Sequence, residues 1–195
     1  MSFRVLVLVS GSGTLFQALT QHLRGRGDIE IVAVGADREC AGLELARSLG
    51  MQTFVLPYVK GSDRDAWDAE LTDRVAAYDP DLVVSAGFMK LLGPRFLARF
   101  GGRTINTHPA LLPSFPGMHG PRDALAHGVK VSGATVFMVD AGVDTGKILA
   151  QGAVDVLDDD SVETLHERIK VVERRLLVEV VDRLAGQQRR GDMNE

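Results

Sequence analysis

The sequence predicts an α/β fold: a single domain with a mostly parallel, twisted sheet and helices on both faces. Short apolar runs that resemble buried strands alternate along the whole chain with segments of helical periodicity. The first run, residues 5–9, is continuously apolar, as expected of a central parallel strand that is covered on both faces. The 195 residues, 45% hydrophobic and 25% charged, suffice for one sizeable core.

In the N-terminal half, the first strand leads through a glycine-rich turn into a helix with Leu15, Leu19 and Leu23 on one face. Gly50 follows a short helix in the position that ends helices, and Ser62 or Asp63 can cap the next one. The predicted elements after the first helix are a strand at 29–34, a helix at 40–49, a strand at 53–56, a helix to about 78, a strand at 82–86 and a helix at 94–100.

The C-terminal half is predicted to contain a strand at 103–106, a helical turn at 123–127, and strands at 133–139 and 148–156. A capping-box-like start at 160–163 opens a long amphipathic helix that we expect to end at Gly186. Residues 1–186 form one predicted domain, and the polar residues 187–195 are expected to be a disordered tail.

Composition excludes several classes of protein. The net charge of −4 argues against a nucleic-acid-binding protein, which would present a basic face. Cys40 is the only cysteine, so neither an intrachain disulfide nor a multi-cysteine metal site is available. The apolar run at 5–9 is too short for a signal peptide, and no run reaches membrane-spanning length, which predicts a cytoplasmic protein without a membrane partner.

Asn106 and His108 are the first candidates for catalysis. Side chains alternate in extended backbone, so an amide and a titratable imidazole point to the same side. Prolines at 109, 113 and 116 then exclude a helix and stiffen the following loop. Such a pair suits a reaction that develops charge. The alternative is structural: an asparagine that caps a turn and a histidine bonded to a nearby carbonyl.

The turn at 10–14 lies between a strand and a helix, where backbone N–H groups and the helix dipole favour an anion such as phosphate. The turn lacks the lysine of a Walker A motif, and the third glycine of a dinucleotide fingerprint would fall at Phe16. Asp37, after the second strand, is therefore interpreted as a turn or cap residue rather than a ribose ligand. A tight turn without a ligand is the alternative for 10–14.

Three further segments are candidates for binding. The apolar loop at 87–93 follows a strand at its carboxyl end, where α/β sheets bind ligands; it lines either a pocket for a flat ring or the core. Arg64 lies in the first turn of a helix, where a cation is unfavourable, which makes it either a ligand or a solvated side chain. The turn at 140–146, with two glycines and two acids, is either a shaped functional loop or an ordinary polar turn.

Over residues 3–184 the chain resembles the phosphoribosylglycinamide formyltransferase family of purine synthesis. The motifs that carry this resemblance are Ser-Gly-x-Gly at 10–13, Ala-Gly-Phe-Met at 86–89, Asn-x-His-Pro-x-Leu-Leu-Pro at 106–113, Pro-Gly-x-His at 116–119, and Asp144 before Thr-Gly. The stretch at 106–113 is shared with other formyl-folate enzymes, so it indicates the chemistry better than the acceptor.

The resemblance implies a Rossmann-like formyltransferase fold and transfer of a formyl group from 10-formyltetrahydrofolate, as co-substrate, to the amine of 5′-phosphoribosylglycinamide. The product would be 5′-phosphoribosyl-N-formylglycinamide, and no metal is implied. The implied partners are these small molecules, and the resemblance leaves a homodimer open.

The catalytic residues implied by the resemblance are Asn106, His108 and Asp144. The Asn106 amide and a protonated His108 would donate to the oxyanion formed by attack of the amine, and one such donor contributes on the order of 3–4 kcal/mol to transition-state stability. Asp144 would stabilise the imidazolium and help to remove the amine proton through water.

The binding residues are also carried over from the resemblance, with the phosphate site in the N-terminal half and the folate and catalytic sites in the C-terminal half. The ribonucleotide would be held by Gly11, Ser12, Gly13, Thr14, Leu15, Lys170 and Glu173. The folate would be held by Arg64, Met89, Lys90, Leu91, Leu92 and Asn106, with Asp140 to Asp144 as the opposite wall. On pattern alone, Lys170 and Glu173 are interpreted as a solvated helix face.

Three positions depart from the family pattern. Leu15 stands where asparagine is usual, so backbone contacts must hold the phosphate there. Phe137 replaces a common histidine, which suggests that this histidine is dispensable for the chemistry. Lys90 replaces a frequent arginine, which keeps the charge but loses the planar fork. These departures affect the expected ligand affinity more than the expected activity.

Four other functions are disfavoured. The formyl-folate deformylase would carry an extra N-terminal domain, and the initiator-tRNA formyltransferase an extra C-terminal one. A non-catalytic binding module does not explain the presence of Asn106, His108 and Asp144 together. A nicotinamide dehydrogenase is disfavoured by the missing third glycine.

Overall fold

The computed structural model describes residues 2–59 and 61–191, which form one twisted sheet flanked by helices. The strands are β1 (Phe3–Val9), β2 (Ile29–Ala36), β3 (Thr53–Val55), β4 (Leu82–Ser85), β5 (Thr104–His108), β6 (Val131–Met138) and β7 (Ile148–Asp155). Their spatial order is β3-β2-β1-β4-β5-β6-β7. The pairs among β1 to β5 are parallel, whereas β6 and β7 join antiparallel. The predicted mostly parallel sheet is confirmed.

The helices cover both faces of the sheet, as the sequence predicts. They are α1 (Thr14–Leu23), α2 (Ala41–Ser48), α3 (Arg64–Ala76), α4 (Pro94–Phe100), α5 (Gly120–His127) and α6 (Val162–Arg189). One core packs α1, α2 and α6 against the sheet, and a second core packs α3 and α4 on the opposite face. Alternate side chains of β1 enter the two cores, which explains why residues 5–9 are all apolar. No helix in the described ranges is long and apolar enough to cross a membrane.

Strand order creates a crevice at the carboxyl edge of the sheet. The chain leaves β1 toward β2 and β3 on one side, then returns to place β4 and β5 on the other side. The loops that follow β1 and β4 therefore diverge, and ligands bind at such a switch point. This crevice gathers the glycine-rich loop at 10–13, the loop at 87–93 and the end of β5.

Several helix boundaries differ from the predicted ones. Asp63 caps α3 by accepting from the N–H groups of Asp65 and Ala66 at 2.9 and 3.1 Å, which resolves the choice between Ser62 and Asp63. The helix ends at Ala76, before a tighter turn. The predicted turn at 123–127 is a longer helix, α5, because proline is compatible with the first turn of a helix.

The C-terminal helix corrects two predictions. Its capping box joins Ser161 to Thr164, one residue beyond the predicted stretch at 160–163. The helix also continues through Gly186 to Arg189, because Gln188 Nε2 donates to Asp81 Oδ1 at 2.7 Å and so anchors the last turn to the loop before β4. Of the expected tail, 187–189 are helical, and residues 192–195 lie outside the described ranges.

Candidate active site

Strand β5 carries Asn106 and His108 to the carboxyl edge of the sheet. The strand extends two residues beyond its predicted end because His108 and the preceding residue pair with Thr135 and Val136 of β6. The extended backbone turns Asn106 and His108 to the same face, as predicted, and Phe137 is the residue paired with Asn106. His108 is only 3% exposed, whereas Asn106 is half-buried.

Both ring nitrogens of His108 face acceptors. Nε2 lies 2.7 Å from the Phe115 carbonyl oxygen, and Nδ1 lies 3.4 Å from Asp144 Oδ2. A carbonyl oxygen accepts hydrogen bonds and cannot donate them, so Nε2 carries a proton, and a second proton on Nδ1 would point toward the Asp144 carboxylate. The carbonyl bond that the structural alternative predicts is therefore observed. His108 also contacts a carboxylate, which that alternative does not predict.

Asp144 is held in one orientation by its backbone and by a second contact. Its φ of 55° lies in the left-handed region, and its Oδ2 accepts from the Gly117 N–H at 2.7 Å. Asp140 instead shapes the turn, because its Oδ1 accepts from the Gly142 N–H and the Thr145 hydroxyl. The two acids of the turn at 140–146 thus have different roles: Asp140 fixes the turn and Asp144 faces His108.

Thr135 and Gln151 fix the loop that follows His108, and the sequence analysis did not identify either residue. The Thr135 hydroxyl donates to the Ala110 carbonyl at 2.7 Å and accepts from the Leu112 N–H at 3.0 Å. Gln151 Nε2 donates to the Leu112 carbonyl at 2.8 Å. A polar residue in the apolar strand β6 is the only sequence signal, and it does not reveal the partner.

The glycine-rich loop packs directly against α2. Gly13 is the N-terminal boundary residue of α1 and has a φ of 72°, and no side chain caps this helix end. A Cβ on Gly13 would lie 2.5 Å from the Gly42 Cα, and the Gly42 N–H donates to the Gly11 carbonyl at 3.0 Å. Glycine is therefore required at 13 by both conformation and close approach, whether or not an anion binds.

Arg64 and the segment 89–92 lie together on the α3 side of the crevice. The Arg64 guanidinium lies over the rings of Tyr58 and Trp67, at 5.0 and 4.6 Å from their centroids, and donates to the Leu91 carbonyl. The Arg64 side chain is therefore fixed by these contacts and is not simply solvated. Met89 and Leu91 are 62% and 64% exposed, so their side chains do not belong to the core.

Polar groups anchor the segment 89–92 at both ends. The Met89 N–H donates to Ser10 Oγ at 2.8 Å. The buried Asp68 carboxylate accepts from the N–H groups of Gly93 and Arg95 at 2.9 and 2.8 Å. Asp68 lies in a helix of largely polar sequence, so its burial was not predictable from local pattern. Neither Ser10 nor Asp68 was among the predicted site residues.

Lys170 and Glu173 of α6 have different environments. Lys170 pairs with Glu167 at 2.7 Å, which agrees with a solvated face, but Glu173 is 5% exposed and contradicts it. Burial raises the pKa of Glu173 to about 7, opposed by a hydrogen bond from Thr107 and the charge of Lys170. Since Thr107 points away from Asn106 and His108, Glu173 contacts β5 from the face opposite the catalytic candidates.

The described residues contain no group of three or more histidine, cysteine, aspartate or glutamate side chains placed to hold a metal ion. The candidate site thus consists of organic donors and acceptors at the ends of β1, β4 and β5, together with the turn at 140–146.

Comparison with known proteins gives concordant results. The sequence matches the formyl transferase family over residues 3–181. The phosphoribosylglycinamide formyltransferase of Mycobacterium tuberculosis H37Rv is 59% identical over 182 residues, which cover 93% of this chain and 85% of that protein. Its Escherichia coli K12 counterpart is 36% identical over 178 residues, covering 88% and 82%. The crystal structure of glycinamide ribonucleotide transformylase 1 from Symbiobacterium toebii superposes with a TM-score of 0.91 at 44% identity, covering 95% and 88%.

Proposed function

We infer that this chain, which belongs to the formyl transferase family, is an enzyme that transfers the formyl group of 10-formyltetrahydrofolate to the amine of 5′-phosphoribosylglycinamide. The product is 5′-phosphoribosyl-N-formylglycinamide, an intermediate of de novo purine biosynthesis. The observation that carries the proposal is the placement of His108 between the Phe115 carbonyl and Asp144, two residues after Asn106 and on the same face of β5.

Asn106 and His108 supply hydrogen-bond donors for the negative charge that develops on the formyl oxygen. Within the described ranges, no other side chain engages the Asn106 amide, which leaves its N–H groups available. His108 can donate to the oxygen only if one of its two contacts opens. The 3.4 Å contact at Nδ1 exceeds hydrogen-bond length and is the weaker of the two. Catalytic contacts commonly tighten only when substrate is bound.

Asp144 acts on the reaction through His108 and through the amine proton. Its carboxylate stabilises the imidazolium, and the Gly117 N–H prevents it from rotating away. The same carboxylate is the base that accepts the amine proton through a water molecule. Asp144 is 12% exposed at its side chain, so it can be reached from the crevice.

The residues near Arg64 fit the folate co-substrate, which supplies the formyl carbon. The exposed side chains of Met89 and Leu91 provide apolar surface for a flat ring, and the backbone of 89–92 provides polar groups at the same edge. Arg64 adds a cation that Tyr58 and Trp67 hold in place. Lys90 and Leu92 complete this wall, and 140–144 form the opposite one.

The ribonucleotide is assigned to the loop at 11–15 together with Lys170 and Glu173. The uncapped N-terminus of α1 directs backbone N–H groups at an anion, which suits the phosphate even though Leu15 offers no polar side chain. In this proposal, residues 1–186 form one formyltransferase domain, with the phosphate site in its N-terminal half and the folate and catalytic sites in its C-terminal half.

Location and assembly are part of the proposal. We place the enzyme in the cytoplasm, since a chain with one cysteine suits a reducing compartment. Both substrate sites are assigned to one chain, so a homodimer is compatible with the activity but not required by it. Light scattering of the purified protein at working concentration determines the assembly state.

The direct test mixes protein, 10-formyltetrahydrofolate or a formyl-folate analogue, and the ribonucleotide, and follows the absorbance of the deformylated product. We expect product only when the ribonucleotide is present, and formylated ribonucleotide in equal amount by mass spectrometry. Glycinamide without the phosphoribosyl group is the matched control. Product formation without any acceptor would contradict transfer and indicate a deformylase.

A further inference from the structure

Ser10 immediately precedes the loop assigned to the phosphate, but its buried side chain contacts a different part of the crevice. Its Oγ accepts from the Met89 N–H at 2.8 Å, and Met89 is the first residue of the folate segment 89–92. We propose that Ser10 is a positioning residue for the folate segment rather than for the phosphate loop. The proposal rests on the proposed function above.

The Ser10 hydroxyl continues the β1–β4 ladder at the point where the two backbones separate. The last backbone contact between these chain segments joins the Ala86 N–H to the Leu8 carbonyl at 2.8 Å. Beyond it, the chain after β1 turns toward α1 and the chain after β4 turns toward α3. The contact from Met89 to Ser10 spans this separation with a side chain, so it determines where the segment 89–92 begins.

Asp37 is a charged neighbour of the Ser10 hydroxyl. The buried Asp37 carboxylate lies 2.8 Å from an Arg38 nitrogen and 3.4 Å from Lys90 Nζ, and interaction with the Ser10 hydroxyl is among the causes that lower its pKa. A hydroxyl has one proton; when that proton points to Asp37, the oxygen lone pairs are left for the Met89 N–H. Asp37 therefore holds the segment in two ways, through Ser10 and through Lys90.

The charge of Asp37 persists despite its burial. Burial raises the pKa of this carboxyl, but the hydrogen bond and charge of Arg38, together with Ser10 and Lys90, outweigh burial, so the pKa lies below its ordinary value. Asp37 is thus a buried anion at the end of β2, which gives a function to a residue that the sequence assigned only to a turn or cap.

The segment depends on such contacts because, among its apolar side chains, Leu92 alone packs against the core. Met89 and Leu91 are exposed, and the other anchors are Asp68 at Gly93 and Arg64 at Leu91. These anchors remain when Ser10 is altered, so we expect displacement of the segment without unfolding. The phosphate loop is fixed separately, by the contact of Gly13 with Gly42 and the bond from Gly42 to Gly11.

The first test compares Ser10→Ala with wild type in steady-state kinetics. We expect the folate KM to rise about five-fold, the size expected for loss of one hydrogen bond, with little change in the ribonucleotide KM. Ser10→Thr, which keeps the hydroxyl, should restore the folate KM, and Asp37→Asn should raise it. An equal rise in both KM values, or no rise in the folate KM, would overturn the proposal.

Ser48→Ala is the matched control. Among the described residues, this exposed serine of α2 hydrogen-bonds through its side chain only to the Leu45 carbonyl, and its removal should leave both KM values and the thermal midpoint unchanged. Thermal midpoints of all variants separate misfolding from displacement of the segment. Should Asp37→Asn fail to fold, Ser10→Ala and Ser10→Thr still decide the question.

A binding measurement separates this proposal from the proposed function. Calorimetric titration with a non-reactive folate analogue should show the same weakening in Ser10→Ala, and the Met89 amide should exchange its hydrogen faster in that variant. If wild type binds the analogue but transfers no formyl group, the proposed function fails while the Ser10 comparison still stands. If wild type does not bind the analogue, both fail.

Discussion

His108 is the residue on which the proposed chemistry depends most directly. It is 3% exposed and lies between two acceptors, so its ring is fixed before any substrate binds. We expect His108→Ala to lower kcat by about 10²- to 10⁴-fold, the range for loss of a general acid–base group. Stopped assays measure the rate, and circular dichroism checks that the fold persists. A folded variant with near-wild-type turnover would contradict the assignment.

Asp144 allows a second prediction at the scale of one residue. Asp144→Asn keeps the size of the side chain and its acceptor for Gly117, and asparagine tolerates the left-handed φ, but the charge that faces His108 is lost. We expect tolerable binding of a folate analogue by calorimetry but slow formyl transfer in stopped assays. Near-wild-type transfer by the variant would limit Asp144 to shaping the loop.

At the scale of elements, two glycines at the junction of β1 and α1 allow helix packing and ligand binding to be tested separately. Gly13 contacts Gly42 of α2 so closely that any side chain would push the two helices apart. A change such as Gly13→Val therefore lowers stability as well as ribonucleotide binding, and it cannot isolate the phosphate site. Gly11 has no positive φ, and a Cβ there would meet no atom of the described residues within 4 Å.

Gly11→Ala is therefore the sharper test of the phosphate loop. We expect the added methyl group to occupy part of the anion site and to weaken ribonucleotide binding several-fold more than folate-analogue binding, with little change in the thermal midpoint. Gly13→Ala, in contrast, should both weaken ribonucleotide binding and lower the thermal midpoint. Calorimetry measures both ligands, and equal weakening of both by Gly11→Ala would argue against a local phosphate site.

At the scale of the whole molecule, Glu173 links folding stability to pH. Its pKa is about 7 in the folded protein against 4.5 as the ordinary value, so the folded state binds more protons between these values. Protonation of Glu173 therefore stabilises the folded state. This stabilisation is fully present below about pH 4.5, and it is lost as the pH rises through 7. The shift in the pKa of Glu173 corresponds to a change in the unfolding free energy on the order of 3 kcal/mol.

We expect Glu173→Gln to remove this dependence. Urea unfolding of wild type and variant at pH 5, 6, 7 and 8 gives the difference in unfolding free energy, which should shift in favour of the variant as pH rises. The other titrating groups are common to both proteins and cancel in the comparison. A difference that does not vary with pH would mean that Glu173 has the same pKa in the folded and unfolded states.

Local pattern was sufficient to predict the order of elements and to place the candidate catalytic residues on one face of a strand. Strands buried on both faces are apolar without interruption, as at residues 5–9, and a surface helix has a stripe of period 3.6. Asn106 and His108 were placed on one face because side-chain alternation in a strand is a local property. The glycines at 13 and 50 were located by their turns, since positive φ is a requirement of the residue itself.

Tertiary structure decided what depends on residues distant in sequence. The helix continues past Gly186 because Gln188 reaches Asp81, and Glu173 is buried because α6 packs on β5 at Thr107. Ser10 and Asp68 became anchors of the segment 89–92 only when the fold brought them to it from 79 and 25 residues away. When a hydrogen-bond partner comes from another element, no periodic pattern in the sequence reveals it. The sequence by itself therefore determined the fold class and the position of the candidate catalytic residues on one strand, and the contacts that hold the candidate site in position were decided by packing.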